Sequence, residues 1–542
     1  MLFHRSKVTA RPEKLSSVVA QQQQPPSLHN KHGNNKLSSS AIFWLLSLLV
    51  LLLVAAPTML LHYYSQATIE TLVVHSNDDP TKTAQQQQKQ QQQQPQSTTD
   101  DSPVVKIAHA ISLISCQKQS RVKGFLDALM ILRHSIHQNS IHAFDHRDNS
   151  INNNDAPQQR RSRYSYQMFA ILHRDGGCLD HMPLLKRLGY IPLVKDTPVN
   201  ISEIQPESSW YRQHVEGENC CGSKEFIKLY AYTLVDYPIV VHWDLDVAVL
   251  QPMDDLFDAM LHDASSKKGR EARKRIAIQK PYHQLLPNRI DAFYTRDITS
   301  ARPWEKVTAV QGGFLVARPS MEHFEQYRKF ILEANYVGGR GPTSGWGGLG
   351  YGGFQGAMAY QGVLAYFYDI VYPGHSVELD VCKWNQVVAD VIWRGPQRKE
   401  EHYKQCRDHP APGIEFADNT PEQGRCHDCR VLPLEETMTV HYTACKKPWE
   451  CMVPKPRVPR NKAEVERLQE LTNVTTCGAL FRKYFEFRRD IEHRISRSLS
   501  KPQQENNGQF RPDFFLGYCS GPNRYISIDL LDDFDMKDIY GF

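Results

Sequence analysis

The residues best suited to chemistry are two aspartates, Asp244 and Asp246, separated by one leucine. They follow an apolar run, Ile239–Trp243, that predicts a short buried strand, so both carboxylates fall at its carboxyl end. Ligands bind at that edge of open α/β sheets. Two carboxylates there can share one divalent cation, the ion needed to neutralise a departing diphosphate. Acids at this spacing are also common in solvated loops, and the buried strand before them favours a functional site.

The elements that must position this pair alternate between strands and helices. Strands are predicted from apolar runs at 104–114, 166–172 and 190–194. Apolar side chains recur at helical spacing over residues 124–136, and a second helical segment precedes the last of these strands. Strands alternating with helices predict an α/β domain with a largely parallel sheet.

Four segments, in order along the chain, resemble glycosyltransferase family 8, the group that includes glycogenin. They are KLYAYTLVDY from Lys228, the aspartate pair with DDLFD after it, QGGFLVARPS from Gln311, and HYTACKKPW from His441. The resemblance covers about residues 104–450. The third and fourth segments look more like those of the membrane-bound plant and fungal branch of the family. Some members of that branch glycosylate sphingolipids or cell-wall glycans.

The resemblance implies a Rossmann-like nucleotide-sugar-binding domain of the GT-A type. It implies that Mn²⁺, or another divalent cation, binds to Asp244, Asp246 and His441. The donor, a nucleotide sugar of the UDP type, is implied to bind to Lys228, Asp244, Gly312, Gly313 and Lys447. Gln361 and Asp246 are the implied catalytic residues. Ammonium groups suit phosphates, and an imidazole beside two carboxylates suits Mn²⁺.

The implied reaction is a hexosyl or hexuronosyl transfer, with retention of anomeric configuration, to a glycan, glycolipid or protein. This chain departs from the family at Tyr360, where an acid usually lies near the transferred sugar, and at Ala444, where the family has glycine. Two other readings therefore stay open. The same acids around a cation could serve a hydrolase, or the domain could bind glycans or nucleotide sugars without turnover.

A membrane anchor is predicted at Ala41–Leu61, which carries no charge and is long enough to cross a bilayer core of roughly 30 Å. Basic residues outnumber acids before it, so residues 1–40 are predicted to be cytoplasmic and the rest lumenal. Residues 62–103, rich in glutamine, predict a disordered stem. We expect a single-pass type II protein of the Golgi or another secretory membrane, with a glycosyltransferase domain at 104–460 and a helical, loop-rich extension at 461–542.

The cysteines and the net charge indicate the compartment of the protein and exclude some classes of function. All twelve cysteines lie beyond residue 115, which predicts disulfides in an oxidising lumen. Zinc bound through Cys426 and Cys429 is the alternative, although no second ligand pair follows them. Sequons at Asn200 and Asn473 fit a lumenal glycoprotein. A net charge of +5 is small for 542 residues, which argues against nucleic-acid binding.

Overall fold

The computed structural model describes a set of ranges that all lie in one compact unit, residues 101–542. These ranges are 103–116, 119–143, 162–206, 209–218, 221–278, 286–297, 307–339, 341–387, 429, 432–443, 447–448, 476–498, 528 and 534–541. The predicted tail, anchor and nearly all of the predicted stem lie outside them. Within the described ranges, no helix combines the length and apolar character needed to cross a bilayer.

Within the described ranges, eleven strands form one large sheet and two short ribbons. They are β1 (Lys106–Leu113), β2 (Ser165–His173), β3 (Tyr190–Lys195), β4 (Val240–Trp243), β5 (Val247–Val249), β6 (Ala292–Arg296), β7 (Val310–Ala317), β8 (Tyr336–Val337), β9 (Gly345–Trp346), β10 (Ser376–Glu378) and β11 (Thr439–His441). The seven-stranded sheet has the order β10-β6-β7-β4-β1-β2-β3, while β11 pairs with β5 and β8 pairs with β9.

Ten α-helices accompany the strands in the part of the chain that the structure describes. They are α1 (Gln119–Gln138), α2 (Met182–Arg187), α3 (Trp210–His214), α4 (Asp254–Leu261), α5 (Lys267–Ile278), α6 (Met321–Glu333), α7 (Tyr360–Tyr366), α8 (Val381–Trp384), α9 (Thr476–Ser498) and α10 (Lys537–Tyr540). A π-helical turn, Phe367–Val371, continues α7. The 3₁₀ helices are Leu179–His181, Ile201–Glu203, Val215–Gly217, Gly222–Thr233 and Leu434–Glu436.

The sheet is covered on both faces, as its apolar strands require. Along β1, Ile107 and Ile111 pack into one buried cluster, and Ala108 and Ala110 pack into a second. Side chains alternate between the faces of a strand, so these clusters lie on opposite faces. Strands buried on both faces carry near-continuous apolar runs, which is the pattern of this sequence. The prediction of an α/β domain is confirmed at this level.

The sheet is largely parallel, as predicted, with one exception that matters for the site. β7 runs antiparallel to both of its neighbours, β4 and β6, whereas β1, β2, β3 and β4 are mutually parallel and β10 is parallel to β6. The beginning of β7 therefore lies at the edge where β4 and β6 end. Nothing in its apolar sequence distinguishes this direction from the parallel one.

The carboxyl-terminal helices pack directly on the core. Arg488 of α9 donates to Asp127 of α1 at 3.0 Å, and the Ile528 N–H donates to the same carboxylate at 3.1 Å. Tyr540 of α10 bonds to His134 of α1 at 2.8 Å. The segment predicted as an extension after the core thus shares its buried surface.

Every cysteine whose side chain the structure describes is disulfide-bonded. Cys116 pairs with Cys178, and Cys382 pairs with Cys429. Cys221 is also disulfide-bonded. The zinc alternative is therefore wrong for Cys429, whose sulfur is already used. Cys445 and Cys451 bracket the Lys-Pro-Trp segment and are expected among the disulfide-bonded cysteines, but both lie outside the described residues.

Candidate functional site

Three strand ends meet at the sheet edge that holds the aspartate pair. Asp244 follows β4 directly, and β7 begins beside it because that strand runs in the opposite direction. The Asp244 N–H donates to the carbonyl oxygen of Gly313 in β7 at 3.0 Å. This bond fixes the first carboxylate over the beginning of β7, at the edge where ligands bind in α/β sheets.

His441 reaches the same edge on the ribbon formed by β5 and β11. The two strands pair antiparallel with His441 opposite Val247, and the Tyr442 N–H donates to the Asp246 carbonyl at 2.9 Å. On the other side of β11, the His441 N–H donates to the Gln386 carbonyl at 3.0 Å. The histidine is thus held between two backbone segments although it lies far from Asp246 in sequence.

A disulfide braces this arrangement. Cys382 lies in α8, shortly before Gln386, and its partner Cys429 accepts a hydrogen bond from the Gln386 side chain at 3.1 Å through its carbonyl. The Thr439 hydroxyl donates to the Trp384 carbonyl at 2.5 Å. The strand that carries His441 is therefore joined to α8 by both hydrogen bonds and a nearby covalent link.

The three side chains converge into one buried cluster. Ligand-type atoms of Asp244, Asp246 and His441 all lie within 4.8 Å of one another. The His441 Nε2 atom is 3.4 Å from Asp246 Oδ1 and 3.9 Å from Asp244 Oδ2. Two carboxylates and one imidazole nitrogen facing a common point are a donor set that a divalent cation accepts.

The ring orientation of His441 and a glycine beside it leave room for such an ion. His441 presents its Nε2 atom to both carboxylates, while its Nδ1 atom is buried without a hydrogen-bond partner in the described part of the chain. A side chain at Gly313 would fill the space beside the cluster, because its Cβ would lie 2.5 Å from His441 Cε1 and 2.6 Å from Asp244 Oδ2. Glycine keeps that approach open.

A lysine contacts each aspartate. Lys228 Nζ lies 2.8 Å from Asp244 Oδ1, and the Lys447 ammonium contacts Asp246 Oδ2. Burial by itself raises the pKa of Asp246, but Lys447 and His441 outweigh it and hold the pKa far below its usual range. For Asp244, burial is likewise outweighed, by Lys228 and His441, and the pKa is lowered. Both carboxylates are therefore charged at neutral pH and available as ligands.

Gly312 lies where the predicted residues Gln361 and Lys228 come close to each other. A Cβ at Gly312 would lie 3.1 Å from Gln361 Cγ, 3.2 Å from Tyr360 Cδ1 and 3.8 Å from Lys228 Nζ. Gln361, near the start of α7, therefore lies beside the lysine that contacts Asp244. All eight residues singled out from the sequence form one connected group at this edge.

Two acids of this region were missed by sequence analysis. Asp297 follows β6, and its carboxylate accepts a hydrogen bond from the Gln361 amide at 3.1 Å. Glu225 lies three residues before Lys228 and is buried. An acid directly after an apolar strand was the signal used for Asp244, and it would also have found Asp297. Glu225 had no such signal, because its partner is in α7.

By residue type Trp346 could stack on a sugar, but it is 1% exposed and packs in the core. The glycine-rich stretch around it forms the β8–β9 ribbon and a series of turns. Trp393 and Trp449 lie outside the described residues. The basic run at 267–275 forms most of α5.

No family model matches this sequence, and no curated protein matches it. Solved structures that match include mouse xyloside xylosyltransferase 1 in its apo form, with 10% identity, 62% of this chain and 97% of that chain covered, and a TM-score of 0.33. The glycosyltransferase GlyE of Streptococcus pneumoniae matches with 11% identity, 74% and 66% covered, and a TM-score of 0.32.

The galactosyltransferase LgtC, in complex with donor and acceptor sugar analogs, also matches. The identity is 10%, the alignment covers 64% of this chain and 89% of that chain, and the TM-score is 0.28. With TM-scores this low, the likenesses carry no argument about activity. The functional conclusion must come from the chain's own residues.

Proposed function

We propose that this chain is a metal-dependent glycosyltransferase that uses a nucleotide sugar as its donor. The observation that carries the proposal is the cluster of Asp244, Asp246 and His441 with an ammonium group on either side. A cation alone would suit many reactions. A cation with lysines beside it suits a leaving group that carries several negative charges, such as a nucleoside diphosphate.

The residues of the site would have separate roles in the transfer. Asp244, Asp246 and His441 would hold the cation, which neutralises diphosphate charge when bound. Lys447 is part-exposed, with 35% of its side chain accessible, so its ammonium can turn from Asp246 to a phosphate. The bond from the anomeric carbon to the diphosphate oxygen breaks, the acceptor oxygen forms the new bond to that carbon, and the acceptor proton passes to the departing diphosphate. Gln361, whose amide donates to Asp297, would contact the sugar.

The finer assignments rest on the resemblance to glycosyltransferase family 8. They are a GT-A domain, Mn²⁺ as the cation, a UDP-type donor, retention of configuration, and a glycan, glycolipid or glycoprotein acceptor. The mixed sheet and the placement of the acids at its carboxyl edge support the nucleotide-binding domain among them, since that edge is where a nucleotide binds in such folds.

We place this domain in the lumen of the Golgi or another secretory compartment, behind a single type II anchor. The disulfides Cys116–Cys178 and Cys382–Cys429 support an oxidising compartment. In sealed microsomes, added protease is expected to remove only about forty residues from the amino terminus. Digestion of the whole chain would contradict this orientation.

The function is tested by profiling the purified chain with MnCl₂ against a panel of UDP- and GDP-sugars, with mixed glycan and lipid acceptors. We expect one donor to be consumed with formation of a glycosylated product, and chelation to stop the reaction. Release of free sugar without an acceptor product would indicate a hydrolase. Tight donor binding without any turnover would indicate a binding module.

A further inference from the structure

Glu225 and Lys228 lie on one face of the 3₁₀ helix Gly222–Thr233. A 3₁₀ helix has three residues per turn, so side chains three positions apart are eclipsed. Both residues are 9% exposed. A buried carboxylate is retained only where its charge is compensated by a partner. The neighbourhood of Glu225 therefore decides what this acid does.

The first partner of Glu225 is the backbone of α7. Its carboxylate accepts a hydrogen bond from the N–H of Tyr360, the first residue of that helix. The first N–H groups of a helix have no acceptor within it, and the residue before Tyr360 is Ala359, whose side chain cannot cap them. Glu225 supplies the acceptor from another element, which ties the start of α7 to the 3₁₀ helix.

Lys228 carries the opposite charge on the same face of the 3₁₀ helix. Its Nζ atom lies 2.8 Å from Asp244 Oδ1 and 5.5 Å from the centroid of the Tyr360 ring, the residue whose N–H Glu225 accepts. Burial by itself lowers the pKa of Lys228, but Asp244 and then Glu225 outweigh it and raise the pKa. Lys228 thus contacts Asp244 of the proposed cation site and shares its helix face with a second carboxylate, Glu225.

We propose that Glu225 is a positioning residue for the donor: it holds the Lys228 ammonium and the first turn of α7 in place on either side of Gly312. This inference rests on the proposed function. If Asp244 is shared with a cation, Lys228 loses part of one partner, and Glu225 is the carboxylate that keeps the ammonium in place. The same contact sets the position of Gln361, one residue after Tyr360.

The test measures the affinity of the full-length chain in detergent for UDP in the presence of MnCl₂, by titration calorimetry. Glu225→Gln keeps the size and an oxygen acceptor for the Tyr360 N–H but removes the charge beside Lys228. We expect the Kd for UDP to rise about tenfold, because a charged partner of the ammonium is lost. Glu218→Gln is the matched control, since Glu218 accepts the Gly356 N–H at 2.7 Å just before α7. Its expected change is less than about twofold.

A role exerted through Lys228 has a signature that a merely structural role lacks. In a Lys228→Met background, Glu225→Gln is expected to change the Kd for UDP by less than about twofold, because the partner is already gone. Glu225→Asp keeps the charge and is expected to recover part of the affinity, so the test stands even if Glu225→Gln folds poorly. An unchanged Kd in Glu225→Gln, or the same tenfold rise in both backgrounds, would overturn the assignment.

The two proposals fail in different ways. A wild-type chain that binds neither UDP nor GDP with MnCl₂ contradicts the proposed function, and the role of Glu225 falls with it. A wild-type chain that binds UDP and transfers sugar, with Glu225→Gln equal to it in affinity and in donor KM, contradicts the role of Glu225 alone.

Discussion

Two clusters of charged side chains lie at the carboxyl ends of two strands of the same sheet, β6 and β4, and their charges are arranged differently. One surrounds Arg296, the last residue of β6, whose side chain is 2% exposed. Its guanidinium donates to Asp369 at 2.6 Å, to Glu378 at 3.2 Å and to the Thr308 carbonyl at 3.0 Å. The other is the cluster of Asp244, Asp246 and His441.

The difference lies in what the charges face. Around Arg296, each nitrogen of the guanidinium has an acceptor in the protein, and the opposite charges are interleaved. In the aspartate cluster, two negative charges lie beside each other. Each carboxylate has one ammonium partner, Lys228 for Asp244 and Lys447 for Asp246. Asp244 is one-third exposed, whereas Asp369 is 3% exposed. The Arg296 cluster therefore stabilises the fold, whereas the aspartate cluster leaves negative charge available to a ligand.

The largest contrast is expected from Asp246→Asn. This change removes a cation ligand but little packing, so transfer should fall by more than about a thousandfold. The melting temperature should fall by no more than a few degrees, because Lys447 can turn to water and one repulsion with Asp244 is relieved. A transfer assay and a thermal melt on the same preparation check this. Full activity in the variant would contradict the assignment of Asp246 as a cation ligand.

The reverse pattern is expected from Arg296→Met. Two buried carboxylates, Asp369 and Glu378, then lose their guanidinium, which typically costs about 3–5 kcal/mol. Urea unfolding monitored by fluorescence measures the loss of stability. Below the unfolding transition, the variant should still bind Mn²⁺ with UDP. A stability within about 1 kcal/mol of the wild type would show that the Arg296 cluster is not the structural one.

A smaller and sharper contrast comes from two neighbouring glycines of β7. Gly313→Ala places a methyl group 2.5 Å from His441 Cε1 and 2.6 Å from Asp244 Oδ2, so the ligands must move. Gly312→Ala places one 3.1 Å from Gln361 Cγ, on a side chain that can shift. We expect Gly313→Ala to weaken Mn²⁺ binding about tenfold to a hundredfold and Gly312→Ala much less. Equal effects would argue against a cation between His441 and Asp244.

The aspartate pair could be predicted from the sequence because an apolar run followed by acids is a local signal. The strands β2, β3 and β4 could be predicted within a few residues because each is a local apolar run. His441 and Lys447 came only from the family resemblance. Their place beside Asp246 depends on the β5–β11 ribbon, a pairing that no local pattern encodes.

The contacts that sequence analysis missed are all between distant elements. The antiparallel direction of β7 depends on its neighbours, and it is what brings Gly313 to Asp244. Glu225 is placed by its contact with the Tyr360 N–H, and Asp297 by its hydrogen bond from Gln361. In each case the residue type is ordinary, and only the fold supplies the partner.

The central claim, that Asp244, Asp246 and His441 hold a divalent cation, is tested most directly by electron paramagnetic resonance of Mn²⁺. Free Mn²⁺ gives a sharp spectrum that broadens on binding, so titration of the full-length chain with UDP present counts bound ions without any transfer assay. The account predicts binding in the wild type and in Lys447→Met, and its loss in Asp246→Asn and His441→Ala. Undiminished Mn²⁺ binding in both ligand variants would contradict it.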